Sequence, residues 1–227
     1  MKVNALKTSV LCISDALATK SEAYIEDGDG NVLASGDGIK MLGFHMDRRP
    51  TVGAHIEALR KRFRSRMWIL MHLKHAGFNT EELSKVYRVI VRPVADYMQV
   101  VYHSMMTDRQ DEVVERLQSQ ALKIIFGKDK KYADMRKLAD VTTLRARRIA
   151  ACDKFAEGCA SGTFARWFPL RVGVRATRGS TRAVEKYEES FARCNRLYNS
   201  PLYYMRRRLN GKPGKVYGQR NREYRDN

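Results

Sequence analysis

Polar and apolar positions change their period once along this chain, near residue 50. Before that point apolar residues sit in short runs of strand length. Thr8–Ser14 ("TSVLCIS") is one such run, and Ala23–Asp37 ("AYIEDGDGNVLASGD") holds two more around Gly-Asp-Gly-Asn, a strong hairpin signal. Ile39–Asp47 ("IKMLGFHMD") reads as a further strand, ended by Arg48-Arg49-Pro50. After Thr51 the apolar spacing becomes helical. A first helix, about Val52 to Ala76, places Ile56, Leu59, Phe63, Met67 and Leu70 on one stripe. Trp68 and Ile69 lie opposite that stripe, so the second half is expected to be buried on two faces, with Gly77 as the stop.

A second helix opens at Asn79 with Glu82 as its capping-box partner and is expected to bury Leu83, Val86, Ile90, Val94, Tyr97 and Val101, kinking at Pro93. A third opens at Thr107 with Gln110, buries Val113, Leu117, Ala121 and Ile124, and ends at Gly127. Shorter helices follow near Tyr132–Ala139 and Thr143–Ala160. A loop-rich stretch (Thr163–Ser180) leads to a last helix, from about Thr181 to Tyr198, that Pro201 breaks. From Asn210 the tail is polar, Gly/Pro-punctuated and expected to be disordered. No internal repeat is visible. The fold class predicted is α+β, mostly α: a small N-terminal antiparallel β layer followed by a helical bundle. The divisions expected are 1–50, 51–127, 128–209 and a basic tail, 210–227.

Composition adds one strong constraint. Of 227 residues, 44% are hydrophobic, enough for a packed core, yet the net charge is +18. Such a field attracts polyanions, nucleic acid first, then an anionic membrane surface or an acidic protein. Lys61, Arg62, Arg64 and Arg66 lie off the apolar stripe of the first helix. The run Arg60–Arg66 ("RKRFRSR") contains no acid and is oriented by Phe63, which makes Arg60, Lys61, Arg64 and Arg66 a candidate phosphate-contacting face. Arg206, Arg207 and Arg208 follow Tyr203 and Tyr204, giving either charge beside stackable rings or a helix core with a basic end.

Other chemistry is poorly supported. Asp27–Asn31 invites a calcium-loop reading, but the sixth and twelfth positions of that loop are Val32 and Gly38, so a hairpin turn fits better. Cys12, Cys152, Cys159 and Cys194 form no C-x-x-C pair, and the five histidines show no metal-ligand spacing. Buried thiols in a reducing cytoplasmic or nuclear setting are expected. No nucleophile elbow or glycine-rich phosphate loop occurs. The start lacks the apolar core of a signal peptide, and no apolar run approaches the roughly 20 residues that span a bilayer. Two-metal phosphoryl transfer needs carboxylates holding ions roughly 3.5–4 Å apart. The usual sign, a paired Asp-Asp at a hairpin tip, is missing from the sequence.

Several stretches, taken in order, resemble the distal half of reverse transcriptases from non-long-terminal-repeat (LINE-like) retrotransposons. Asn4, Lys7 and Thr8, followed by an apolar strand, resemble the N-x-x-K-T palm motif. Lys40, Leu42, Gly43 and Phe44 resemble the K-x-L-G primer-grip hairpin. Arg92, Pro93 and Tyr97, then Leu117–Ile124, resemble the R-P-x-x-x-Y and L-Q-x-x-A-L-K-x-I helices of the thumb region. The likeness covers most of the chain to about Gly127. It implies a palm remnant with primer grip over 1–50, a thumb-like bundle over 51–127 and a helical extension beyond. It further implies Lys7 as a proton donor near the leaving pyrophosphate, Leu42, Gly43 and Phe44 at the primer end, and an RNA–DNA or DNA duplex as partner. The family uses magnesium, but the aspartate motifs that hold it have no counterpart in this sequence. The expectation is therefore no metal or other cofactor in this chain, no polymerase activity from it alone, and an upstream polymerase half as a possible protein partner. The alternative is a non-enzymatic, basic, helical nucleic-acid-binding protein.

Overall fold

A computed structural model describes residues 8–11, 24–26, 30, 32–34, 36–48, 51–170, 186–189, 192 and 195–212. They fall into two compact units, Met1–Leu59 and Arg60–Asn227. The fold is α+β and mostly α, as the period change predicts.

The first unit holds two separate antiparallel hairpins. β1 (Tyr24–Glu26) pairs with β2 (Val32–Ala34), Ile25 opposite Leu33, so the Gly-Asp-Gly-Asn signal does connect two strands. The run "IKMLGFHMD" is two strands rather than one. β3 (Gly38–Met41) and β4 (Phe44–Asp47) pair with Met41 opposite Phe44, leaving Leu42 and Gly43 as a two-residue turn. Both turn residues have positive φ, 50° and 82°, the type I′ pattern that matches strand twist. Gly tolerates that backbone and Leu pays for it, so the turn is carried by Gly43. Of the Thr8–Ser14 run, Val10 accepts a hydrogen bond from the Gly36 amide at 3.0 Å, and Cys12 onward lies outside the described residues.

Helix α1 (Gly53–His75) spans the boundary between the units. Its predicted stripe is correct: Ile56, Leu59, Phe63, Met67 and Leu70 are all buried. It ends in a Schellman motif, with the amide of Phe78 donating to Leu73 O and that of Gly77 (φ 90°) to Lys74 O. The expectation of a second buried face fails at Trp68, which is 56% exposed.

α2 (Thr80–Val86) starts from the predicted Asn79/Glu82 capping box and runs into a π-helical turn, Tyr87–Val91. Pro93 cannot donate to the helix ladder, and the chain widens just ahead of it, the amide of Arg92 reaching back five residues to Tyr87 O at 2.9 Å. The buried positions therefore recur every four residues, Leu83, Tyr87, Val91 and Ala95, and the predicted inward residues Ile90 and Tyr97 are exposed. α3 (Pro93–Asp96) and α4 (Gln99–Tyr102) are separated by Met98 in the left-handed region. α5 (Asp108–Phe126) has the predicted Thr107/Gln110 box and buries Val114, Leu117, Gln118, Ala121, Leu122 and Ile125. Val113 and Ile124, predicted inward, are only half-buried.

α6 (Tyr132–Leu138) and α7 (Leu144–Ser161, capped by Thr143) follow as expected. α7 packs on α3, α4, α5 and α9 and is the spine of the second unit. The predicted helix from Thr181 lies largely outside the described residues, apart from α8 (Asn195–Tyr198). Pro201 does not end the structure but begins α9 (Pro201–Leu209), where its missing N–H costs nothing at the first helical position. α9 closes a core of Cys152, Ala156, Cys159, Phe168, Tyr187, Tyr204 and Met205. Cys152 and Cys159 are buried and form no disulfide. Lys212, within the predicted tail, is tied to Glu189 at 3.1 Å, and the residues beyond it lie outside the described set. Among the described residues no helix is long and apolar enough to cross a membrane.

Candidate functional site

Along α1 the buried stripe fixes which side chains face away from the second unit. Phe63 and Leu70 have no exposure, so positions half a turn away on the helix point to solvent. Lys61, Arg64 and Arg66 are exposed and enter no ion pair among the described residues. Arg62 is exposed beside them, while Arg60 is half-buried and bonded within the fold. From Ala58 through Thr80 the sequence has no Asp or Glu, and the one acid on α1 is Glu57, a turn ahead of Lys61. Lys74, at the far end, is used internally, its Nζ donating to Ile124 O. Two of the four predicted residues on this helix, Lys61 and Arg64, thus share the open face opposite Phe63, and Arg66, five residues from Lys61, is exposed on the other flank of the helix.

Sequence reasoning missed the aromatic part of the same surface. The rings of Trp68 and His72 lie against each other, tilted by 39° with centroids 3.6 Å apart, and the His72 ring nitrogen Nδ1 donates to Trp68 O at 3.0 Å. The signal was available: Lys61, Arg64, Trp68 and His72 recur at helical spacing opposite the Phe63 stripe. An apolar Trp in an apolar stretch was assigned to the core instead.

Arg206, Arg207 and Arg208 are placed differently. Arg206 is 9% exposed and donates through Nε and Nη2 to Trp167 O at 3.1 and 2.7 Å. Arg207 is 2% exposed, donates to Tyr198 O at 2.6 Å and lies 3.5 Å over the Tyr198 ring. Arg208 grips Asp153 through two bonds of 2.8 and 2.5 Å, and that carboxylate raises the Arg208 pKa further. Tyr204 is buried against His103, its hydroxyl 3.1 Å from Nε2. This is the helix core with a basic end, and the stackable-surface reading of these arginines is corrected: their donors are spent inside the fold.

In the first unit Leu42, 75% exposed, and Gly43 form the tip of the β3–β4 turn. Phe44 is 3% exposed and packs its ring 4.6 Å from that of His55. The three predicted grip residues are therefore two at a protruding tip and one holding that tip to the unit. Lys7 lies outside the described residues.

One pocket, of about 280 Å³, gathers Asp108, Asp111, Glu112 and Glu115 with Tyr132 and Arg145. Three of its four carboxylates are engaged by neighbouring side chains or backbone. Asp111 pairs with buried Arg148 and with Arg145, Glu112 with Arg116, and Glu115 accepts from the Tyr132 hydroxyl and the Arg145 amide. Among the described residues no cluster of His, Cys, Asp and Glu has the arrangement to hold a metal ion. No family model, curated protein or solved structure matches the chain.

Proposed function

We propose that this chain binds nucleic acid through the outward face of α1, as the distal part of a retroelement RNA-directed DNA polymerase engaging a template–primer. The observation that carries the binding role is the exposure of Lys61 and Arg64 on the side of α1 away from the Phe63 anchor, with exposed Arg66 on its flank and no Asp or Glu from Ala58 through Thr80. Such cations meet phosphates without first breaking internal ion pairs. The polymerase affiliation is supported by the order of the sequence motifs and by the tight Leu42-Gly43 turn at the grip position. A reducing cytoplasmic or nuclear setting agrees with Cys152 and Cys159, which form no disulfide. Catalysis of nucleotide addition is not part of the proposal, because the acidic pocket is engaged by arginines and no Asp-Asp occurs in the sequence.

A second reading, a stand-alone basic helical binder with the hairpins as scaffold, is favoured by that same lack of catalytic carboxylates. An in-frame strand–Asp-Asp–strand segment encoded ahead of Met1 would support the polymerase affiliation over this one.

The binding role is tested by the salt dependence of affinity for an RNA–DNA hybrid. Log affinity should fall against log salt by about 0.7–0.9 per phosphate contacted. The triple variant Lys61→Gln, Arg64→Gln, Arg66→Gln should flatten the slope by about 2–3. An unchanged slope would remove α1 as the binding face.

A further inference from the structure

The outward row of α1 continues past its cations. Lys61, Arg64, Trp68, His72 and His75 stand at i, i+3, i+7, i+11 and i+14, one face of the helix, and all five are exposed. At 1.5 Å per residue the row is about 21 Å long. Trp68 sits in its middle, one turn after Arg64 and two after Lys61. Its ring is held in orientation, because the His72 ring packs against it, tilted by 39° at 3.6 Å, and is itself tethered to Trp68 O.

A fixed, half-open indole next to cations has a specific use in nucleic-acid binding. In a duplex the faces of the bases are covered by their neighbours in the stack, and only edges and phosphates are offered. An unpaired base presents a π-face to any ring that can receive it, whatever its identity. We infer that α1 recognises single-stranded nucleic acid, an unpaired base stacking on Trp68 while the adjoining phosphates meet Lys61 and Arg64. This rests on the nucleic-acid-binding role proposed above and narrows it to the unpaired strand beside any duplex. Duplex binding through the same cations alone is the competing outcome.

The experiment uses the full chain, an unstructured thymidine oligomer and a blunt DNA duplex of equal length. Trp68→Ala should weaken single-strand binding roughly 10- to 100-fold and leave duplex binding within about twofold. Trp68→Phe should restore most of the loss. Trp167 is also half exposed, so Trp167→Ala serves as the control and should change neither affinity. In the Trp167→Phe protein, where Trp68 is the remaining indole, the oligomer should quench tryptophan emission and the duplex should not. If the oligomer binds but Trp68→Ala leaves its affinity unchanged, the stacking inference is overturned and the electrostatic role stands. If neither nucleic acid binds, the underlying proposal falls with it.

Discussion

At the scale of single residues, arginine is the side chain whose role the sequence concealed most. Arg147 and Arg148 are adjacent in the sequence, and no acid beside them marks either as paired. In the structure Arg147 makes two bonds to Asp96, at 3.1 and 2.9 Å, and Arg148 is 1% exposed and paired with Asp111. Nothing in helical spacing distinguishes a buried, paired arginine from a solvated one, because the partner comes from a distant element. Arg148→Met should destabilise the fold by roughly 3 kcal/mol, since it leaves Asp111 buried with Arg145 alone. Adding Asp111→Leu should recover part of that loss in urea unfolding. Simple additivity of the two losses would show that the pair is not coupled.

Tyrosines add a pH limit at the same scale. Burial pushes the hydroxyls of Tyr87, Tyr102, Tyr132 and Tyr204 well above their ordinary value, and the bond to Glu115 raises Tyr132 further. The folded state holds these protons more tightly than the unfolded chain, whose tyrosines ionise near 10. Their contribution is fully present below about pH 10 and is lost as pH rises beyond it. In an alkaline titration some of the 11 tyrosines should therefore ionise only together with loss of the helical circular-dichroism signal. Ionisation of every tyrosine with the helices intact would contradict this.

At the scale of elements, termini were more legible than interiors. Both capping boxes, the Gly77 stop and the α1 stripe follow from short-range chemistry, and the structure has all of them. The error in α2 arose where the helix stops being α. A 3.6-residue period predicts Ile90 inward. The π turn before Pro93 shifts the core to Val91, which has no exposure, and leaves Ile90 37% exposed. Val91→Ala should cost about 1–3 kcal/mol and Ile90→Ala less than about 0.5 kcal/mol in chemical denaturation. The reverse order would restore the regular helix. In α5 the buried face is broader than a single stripe because α2, α6 and α7 all pack on it, which displaces its centre by one residue from the predicted line. Pro201 does two things at once: α8 stops at Tyr198 ahead of it, as expected, and the same residue is favourable at the start of α9.

At the scale of the whole molecule, fold class and the change from strand to helix were readable from the apolar period alone. The candidate surface was half readable. Its cations stand out by charge; the place of Trp68 opposite the Phe63 stripe is legible too, but its apolar character does not reveal that it is 56% exposed. The +18 charge is also less uniform than composition suggests. Arg145, Arg147, Arg148 and Arg208 are paired with Asp111, Asp96 and Asp153, while Lys61, Arg64 and Arg66 of α1 are exposed and enter no ion pair among the described residues. Binding should therefore depend on where a charge sits and not only on how many remain. Two variants with equal net charge separate these possibilities. One replaces Lys61, Arg64 and Arg66 by Gln; the other replaces the exposed Lys128, Lys130 and Lys137 by Gln. Measured against the same RNA–DNA hybrid over a salt series, the α1 variant is predicted to lose affinity and flatten the slope by about 2–3, with the other variant close to wild type. Equal losses in the two would show that the total charge, and not the face of α1, holds the nucleic acid.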